Sequence, residues 1–376
     1  MILFVLTFLL IYTAMHALVF WGMHPLLAGH PALPSLAWIW MGAMIVAPVL
    51  VRLLDHTGHE LAARALAWVG YSWMGFAFLA FSLCLPLALW ELAAWLLPKV
   101  VGSAPHLSLH GAVSAGVILL VTLATGLYGL REATDLRVEK VQLTSAKLPP
   151  GSPPLRIAQI SDLHLGLILR DEALAPIISE LQQLQPDLVV ATGDIVDAQI
   201  NHLDGLSELW TRIDPPLGKF AIIGNHEVYA GLEQGLDFLQ RSGFQVLRNR
   251  AQTIGANITL VGVDDPTTRQ AINETELLQA LPTDHLIILL KHRPRLGAGA
   301  DGLFDLQLSG HAHRGQIFPF NLLTRLEFPL QDGLHRTERG SYLYASRGTG
   351  TWGPPMRVLS PPEITLLEIS PAPASP

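Results

Sequence analysis

Residues 1–130 carry only six charged side chains, Arg52, Asp55, Glu60, Arg64, Glu91 and Lys99, in a chain with 24 Lys and Arg and 31 Asp and Glu. That scarcity constrains the fold more than any other feature. The run from Met1 to Met23 has no charge at all, and crossing a bilayer takes about 20 helical residues. A cleaved signal peptide would need a basic start and a shorter apolar core. Three later apolar runs follow, Pro34–Val51, Ala65–Pro98 and Gly111–Leu130. The third exceeds one span and is interrupted only by Glu91. It is expected to hold a tilted span ending near Pro86–Trp90 and then an interfacial stretch to Leu97. Residues 1–130 therefore read as a transmembrane region of about four helices, with three and five left open.

Orientation follows the Lys and Arg of short flanks. Arg52, Arg64, Arg131, Arg137, Lys140 and Lys147 fall on one side, and Lys99 alone on the other. This bias predicts a multi-pass protein of the inner membrane with its catalytic domain in the cytoplasm. Trp21, Trp38, Trp40, Trp68, Trp73, Trp90 and Trp95 suit membrane interfaces. Glu91 reads as a snorkelled or interfacial acid.

The remainder is ordinary in charge, and the net −7 of the chain belongs wholly to it. An acidic balance disfavours a nucleic-acid partner. The single cysteine, Cys84, excludes an internal disulfide framework. Residues 131–154 end in the run Pro149-Pro150-Gly151-Ser152-Pro153-Pro154 and read as a stiff connector. Residues 155–370 form the globular domain, and 371–376 a tail. Strands are expected at Leu155–Ile160, Asp187–Ala191, Phe220–Ile223, Ile258–Val263, His285–Leu290 and Phe304–Leu308. Helices are expected at Asp171–Leu184, Leu203–Arg212, Gly231–Arg241 and Glu274–Leu281. Strands alternating with helices argue an α/β fold, and less regular later strands favour a mixed or two-sheet sandwich over one parallel sheet.

Chemistry gathers where these strands end, the usual site of binding loops in α/β sheets. The clusters are Asp162-Leu163-His164, Gly193-Asp194-Ile195-Val196-Asp197, Gly224-Asn225-His226-Glu227, Lys291-His292-Arg293-Pro294 and Gly310-His311-Ala312-His313. Carboxylate, imidazole and amide oxygen donors suit Mn, Fe or Zn. Gly193, Gly224 and Gly310 relieve crowding where the backbone must approach closely. An Asp can bridge two ions with its two oxygens, although spacing alone does not single out which. Two ions roughly 3.5–4 Å apart can clamp the attacking and leaving oxygens of a phosphoryl displacement.

Taken in order, these motifs resemble those of the calcineurin-like metallophosphoesterases. The run Ser309-Gly310-His311-Ala312-His313-Arg314-Gly315-Gln316-Ile317-Phe318-Pro319 is similar to the membrane-associated bacterial subgroup, as is Ser346-Arg347-Gly348-Thr349-Gly350. The resemblance implies an N-terminal helical transmembrane region followed by a metallophosphoesterase-type β-sandwich flanked by helices. It implies two divalent ions, one held by Asp162, His164, Asp194 and His313, the other by Asp194, Asn225, His292 and His311. Asp194 becomes the bridge. His226 becomes a catalytic residue beside the scissile phosphate, with Glu227 orienting it and Asp197 supporting the loop. Arg293, Arg314 and Arg347 are candidate phosphate contacts by charge. The expected activity is hydrolysis of a phosphodiester or pyrophosphate, and the spans motivate a lipid-linked substrate. The competing reading is a non-catalytic membrane receptor or scaffold that uses the fold for binding. The complete donor set and His226 argue against it.

Overall fold

The computed structural model describes residues 2–102, 107–197, 203, 205–270 and 272–373. The chain divides into two units. One comprises Met1–Arg131 together with Gly353–Val358, and the other Glu132–Trp352 together with Leu359–Pro376.

The first unit holds four helices, α1 (Ile2–Leu27), α2 (Leu33–His56), α3 (Glu60–Val101) and α4 (Ala112–Glu132). All four are long and apolar enough to cross a membrane. Val19 of α1, Met41 of α2 and Ala80 of α3 meet in a small shared core. Large side chains such as Ile39, Leu89 and Leu120 remain uncovered, as suits helices surrounded by lipid. His16, buried inside, is paired on both ring nitrogens. It receives the Trp73 indole N–H on Nε2 at 2.9 Å and bonds the Tyr12 carbonyl through Nδ1.

The run expected to hold a tilted span and then an interfacial stretch is one helix, α3, which runs unbroken for 42 residues. At 1.5 Å per residue it is about twice as long as a hydrocarbon core is thick. In apolar surroundings a helix is the conformation that satisfies its own backbone, so a lone proline does not end it. Glu91 is held by the chain itself. Its carboxylate accepts the backbone N–H groups of Leu109 (2.6 Å) and His110 (2.9 Å), just ahead of α4.

The second unit is a sandwich of two six-stranded sheets. The first has the order β1 (Arg137–Ser145), β12 (Glu363–Pro371), β2 (Leu155–Ile160), β3 (Leu188–Ala191), β4 (Lys219–Ala221), β5 (Gln245–Val246). From β2 to β5 it is parallel, while β12 runs antiparallel to β2 and parallel to β1. The second sheet has the order β10 (Gly333–Arg336), β11 (Tyr342–Ala345), β9 (Leu306–Ser309), β8 (Leu286–Lys291), β7 (Ile258–Val263), β6 (Arg250–Ile254). The stretch 131–154, expected as a connector, thus contains an edge strand, β1. The expected tail begins inside β12, and its residues 374–376 lie outside the described residues.

Strand alternation sorts side chains between layers. In β3, Leu188 and Val190 face the second sheet, while Val189 and Ala191 pack under α5 (Asp171–Leu184), α6 (Leu206–Trp210) and α8 (Leu232–Arg241). In β8, Leu286, Ile288 and Leu290 point into the space between the sheets. Ile287 and Leu289 pack on the far side with Leu278 of α9 (Glu274–Gln279). With both faces covered, these strands read as continuous apolar runs rather than alternating ones.

Arg347 sits where β1 and β12 meet. Its guanidinium lies 2.7 Å from the fully buried Glu363 carboxylate and 2.5 Å from Glu139. Glu363 also accepts the Tyr344 hydroxyl at 2.8 Å. Removing one partner of such a buried pair costs about 3–5 kcal/mol, because the other charge is left uncompensated. Arg347→Ala is expected to lower hydrogen-exchange protection of the β12 amides by that amount, and Arg347→Met with Glu363→Leu to recover most of it.

Candidate metal centre

Both sheets aim the carboxyl ends of their central strands at one rim. From the first sheet, β2 delivers Asp162 and His164, β3 delivers Asp194, and β4 delivers Asn225 and His226 at the start of α7 (Asn225–Ala230). From the second, β8 delivers His292 and β9 delivers His311 and His313. Gln159 fastens the two sets together. Buried at the end of β2, it donates to the Thr192 hydroxyl and to the Ser309 carbonyl of β9, each at 2.9 Å.

The loops are tightly drawn. Asp162, His164, Asp194, His311 and His313 all adopt positive φ, between 48° and 70°. Such backbone costs about 1–3 kcal/mol per residue and persists where surrounding bonds over-determine it. The expected role of the glycines is visible at two positions. A Cβ on Gly224 would clash with the Asp194 carboxylate, and one on Gly310 with that of Asp162.

Three groups of side chains bring their donor atoms within 4.8 Å of one another: Asp162, His164 and His313; His164, Asp194 and His226; Asp194, His292 and His311. These donors are short of positive charge. Nδ1 of His292 lies 2.8 Å from the Thr192 carbonyl, which can only accept, so that nitrogen carries the proton. Nε2 of a neutral His292 then points a lone pair at Asp194 Oδ2 and His311 Nδ1, both 3.1 Å away. Three such atoms together call for positive charge between them, a metal ion or a proton. The paired Nε2 atoms of His164 and His313, 3.1 Å apart beside Asp162, make a similar demand. Asn225 Oδ1 is buried and has no hydrogen-bond partner among the described residues. The residues present therefore fit divalent ions held by oxygen and nitrogen.

Electrostatics agrees. Burial works against the Asp162 carboxylate, yet the His313 and His292 imidazoles hold it well below the usual range. Burial likewise opposes charge on Asp194, and His292 and His226 overcome it. The aspartates in turn draw protons. His292 is pushed up to about 10 against its burial, chiefly by Asp194. Burial and neighbouring imidazoles push His164 and His311 down to about 3, leaving them neutral and able to donate a lone pair.

The structure reverses two supporting roles. Asp197, not Glu227, orients His226, its Oδ1 lying 2.8 Å from Nδ1. Burial disfavours the imidazolium, but this bond and the Asp194 charge raise His226 to about 9. Glu227 instead holds the Asp194 loop, accepting the backbone N–H groups of Asp194, Ile195, Val196 and Gly224 at 2.7–3.2 Å. A glutamate three residues past a helix N-cap is a capping signal legible in Gly224-Asn225-His226-Glu227. Two aromatic neighbours were not foreseen, Tyr229 and Trp352, whose rings stand 5.4 and 5.7 Å from that of His226. The three arginines singled out by charge are all held by acids. Arg293 is bidentate on Asp265, Arg314 lies 3.2 Å from Asp332, and Arg347 bridges Glu139 and Glu363.

Support behind metal ligands typically contributes 10–100-fold in metal affinity. Glu227→Gln would set an amide N–H against the backbone N–H groups that the carboxylate now accepts. Equilibrium dialysis with Mn should show binding weaker by that factor, and an unchanged affinity would remove Glu227 from the support of the centre.

Comparison with known proteins agrees with this geometry. Residues 155–315 match the family model described as calcineurin-like phosphoesterase. An uncharacterized metallophosphoesterase of Aquifex aeolicus is 40% identical over 257 residues, covering 67% of this chain and 98% of that protein. A Danio rerio transmembrane protein with a metallophosphoesterase domain is 34% identical over 66% of this chain, which spans 60% of that relative's length. A 5'-nucleotidase precursor from Thermus thermophilus superposes with a TM-score of 0.35 at 17% identity, covering 57% of this chain and 54% of its own. With the near-complete match to the Aquifex protein and the donor set assembled at one rim, the chain belongs to the calcineurin-like metallophosphoesterases, metal-dependent hydrolases of phosphoester bonds.

Proposed function

We propose that this metallophosphoesterase works with two divalent ions, is anchored in the inner membrane by four spans, and cleaves a phosphodiester or pyrophosphate bond in a lipid-linked substrate at the cytoplasmic face. The observation that carries the two-ion reading is the convergence of two donor groups at one rim, His292, Asp194 and His311 on one side and Asp162, His164 and His313 on the other. Asp162, His164, Asp194 and His313 would hold one ion, and Asp194, Asn225, His292 and His311 the other. Mn, Fe and Zn all suit these donors. Bound ions of this kind stabilise charge on phosphoryl oxygens and acidify the attacking water.

The remaining work falls to the protein. Asp197 accepts from His226 Nδ1 and fixes the ring, so that Nε2 is the atom free to address substrate. An imidazole raised to about 9 is protonated at neutral pH. It can hydrogen-bond a developing negative oxygen or give its proton to the leaving alkoxide or phosphate. The flanking Trp352 and Tyr229 rings keep this proton donor partly out of bulk water. The cytoplasmic placement rests on six Lys and Arg against one in the flanks of the apolar runs. A lipid-linked substrate is supported by the four apolar helices carried in the same chain.

The test uses the full chain in nanodiscs with bis-p-nitrophenyl phosphate. Turnover should need Mn and stop with EDTA. General acid–base groups typically contribute 10²–10⁴-fold, so His226→Ala should lose activity within that range while still binding Mn, whereas Asp194→Ala should lose the metal itself. Equal turnover in wild type and His226→Ala would sink the catalytic assignment.

A further inference from the structure

Helix α10 (Asn321–Glu327) is short, and none of its residues is buried. It follows directly on the loop that carries His313. Leu322, Leu323 and Leu326 are 59%, 60% and 81% exposed, and Phe318 and Phe320 ahead of it are more than 40% exposed. Trp352 joins them at 54%. Gln316 binds its backbone from both sides, donating to the Trp352 carbonyl at 3.0 Å and accepting its N–H at 2.9 Å. A contiguous apolar surface of this kind on a water-facing domain marks contact with another apolar phase.

We propose that α10, the loop before it and Trp352 form a bilayer-contacting surface at the edge of the metal centre. The proposal rests on the reading of α1–α4 as membrane spans, and it commits to lipid because of how the chain is threaded. The catalytic unit is joined to the apolar helical unit at three points of the chain, after residues 131, 352 and 358. The second of these is the peptide bond that follows Trp352. The chain thus passes from this surface into the unit that carries the spans at the residue after Trp352, whereas a second copy or a separate protein has to be recruited. The composition suits the boundary of a membrane. Trp belongs at the headgroup level, and Arg325, exposed between Leu323 and Leu326, can extend its guanidinium to lipid phosphates while its stem stays apolar. Glu327 is paired with Arg295, so Arg325 adds a single positive charge to a contact driven by apolar burial.

The surface also reaches the chemistry, since the Trp352 ring stands against His226. A phosphoester on a lipid anchor would meet the proton donor at the headgroup level without leaving the bilayer.

The test places an environment-sensitive NBD label at Leu326→Cys in a Cys84→Ala background, with the full chain in phosphatidylcholine nanodiscs. Doxyl-labelled lipid is the quencher. Labels at Leu119→Cys in α4 and at Glu338→Cys, on the exposed turn between β10 and β11, serve as the lipid and water references. Leu326 should be quenched nearly as strongly as Leu119 and shielded from iodide, with Glu338 showing the opposite pattern. Quenching at Leu119 but not at Leu326 overturns the docking surface and leaves the spans intact. Quenching at neither overturns the spanning reading itself. Shielding of Leu326 from iodide without lipid quenching means that protein covers it, and this also overturns the proposal.

Discussion

Two buried carboxylates, Asp162 and Asp194, organise the catalytic unit. Each is removed from water at the end of a central strand, and an isolated charge there would be prohibitive. Around Asp162 the protein arranges the His313 imidazole and the N–H of His311, and around Asp194 the His292 imidazole and the N–H of His226. Five strand ends and two sheets must therefore keep their register for both aspartates to remain charged. The left-handed backbone at five of the ligand positions is tolerated because so many groups converge on these two acids.

The sandwich supplies what such a centre needs from a scaffold. Strands covered on both faces move little relative to one another, so loops at their ends inherit a fixed spacing. Gln159 adds a polar tie directly beneath the rim, reaching both the first sheet and β9. Glu227 does the same within the first sheet by gathering four backbone N–H groups from two loops. Precision at the site is built from buried polar side chains that themselves do no chemistry.

Much of this was legible beforehand, for identifiable reasons. The central strands are short, mostly apolar runs that end in polar residues, so Leu155–Ile160 and Ile258–Val263 could be read to the residue. Helix α5 carries one apolar face and was equally clear. The strands that escaped notice, β1, β5, β6, β10, β11 and β12, are edge strands or their neighbours, most of them short or half exposed, and their local sequences do not announce pairing. β1 finds its partner in β12, far along the chain. The metal-donor residues were visible as types, but the partners of His226 and Asp194 were exchanged, because loops of such tight geometry cannot be read from spacing. The acids that hold the three arginines were hidden for a related reason, since Asp265, Asp332 and Glu363 lie on separate segments of the chain.

The position of β12 bears on how the molecule comes into being. It lies inside the first sheet, between β1 and β2, yet it is formed by residues 363–371, whereas its neighbours are residues 137–145 and 155–160. During synthesis those two strands emerge with a gap between them that only a much later stretch of chain can close. Pairings over such separations form slowly, since a long loop must be ordered first. The apolar helices are made earlier and can enter the bilayer while this gap is still open. The order of synthesis thus lets the helices reach a membrane before the sheet that carries the active rim is closed.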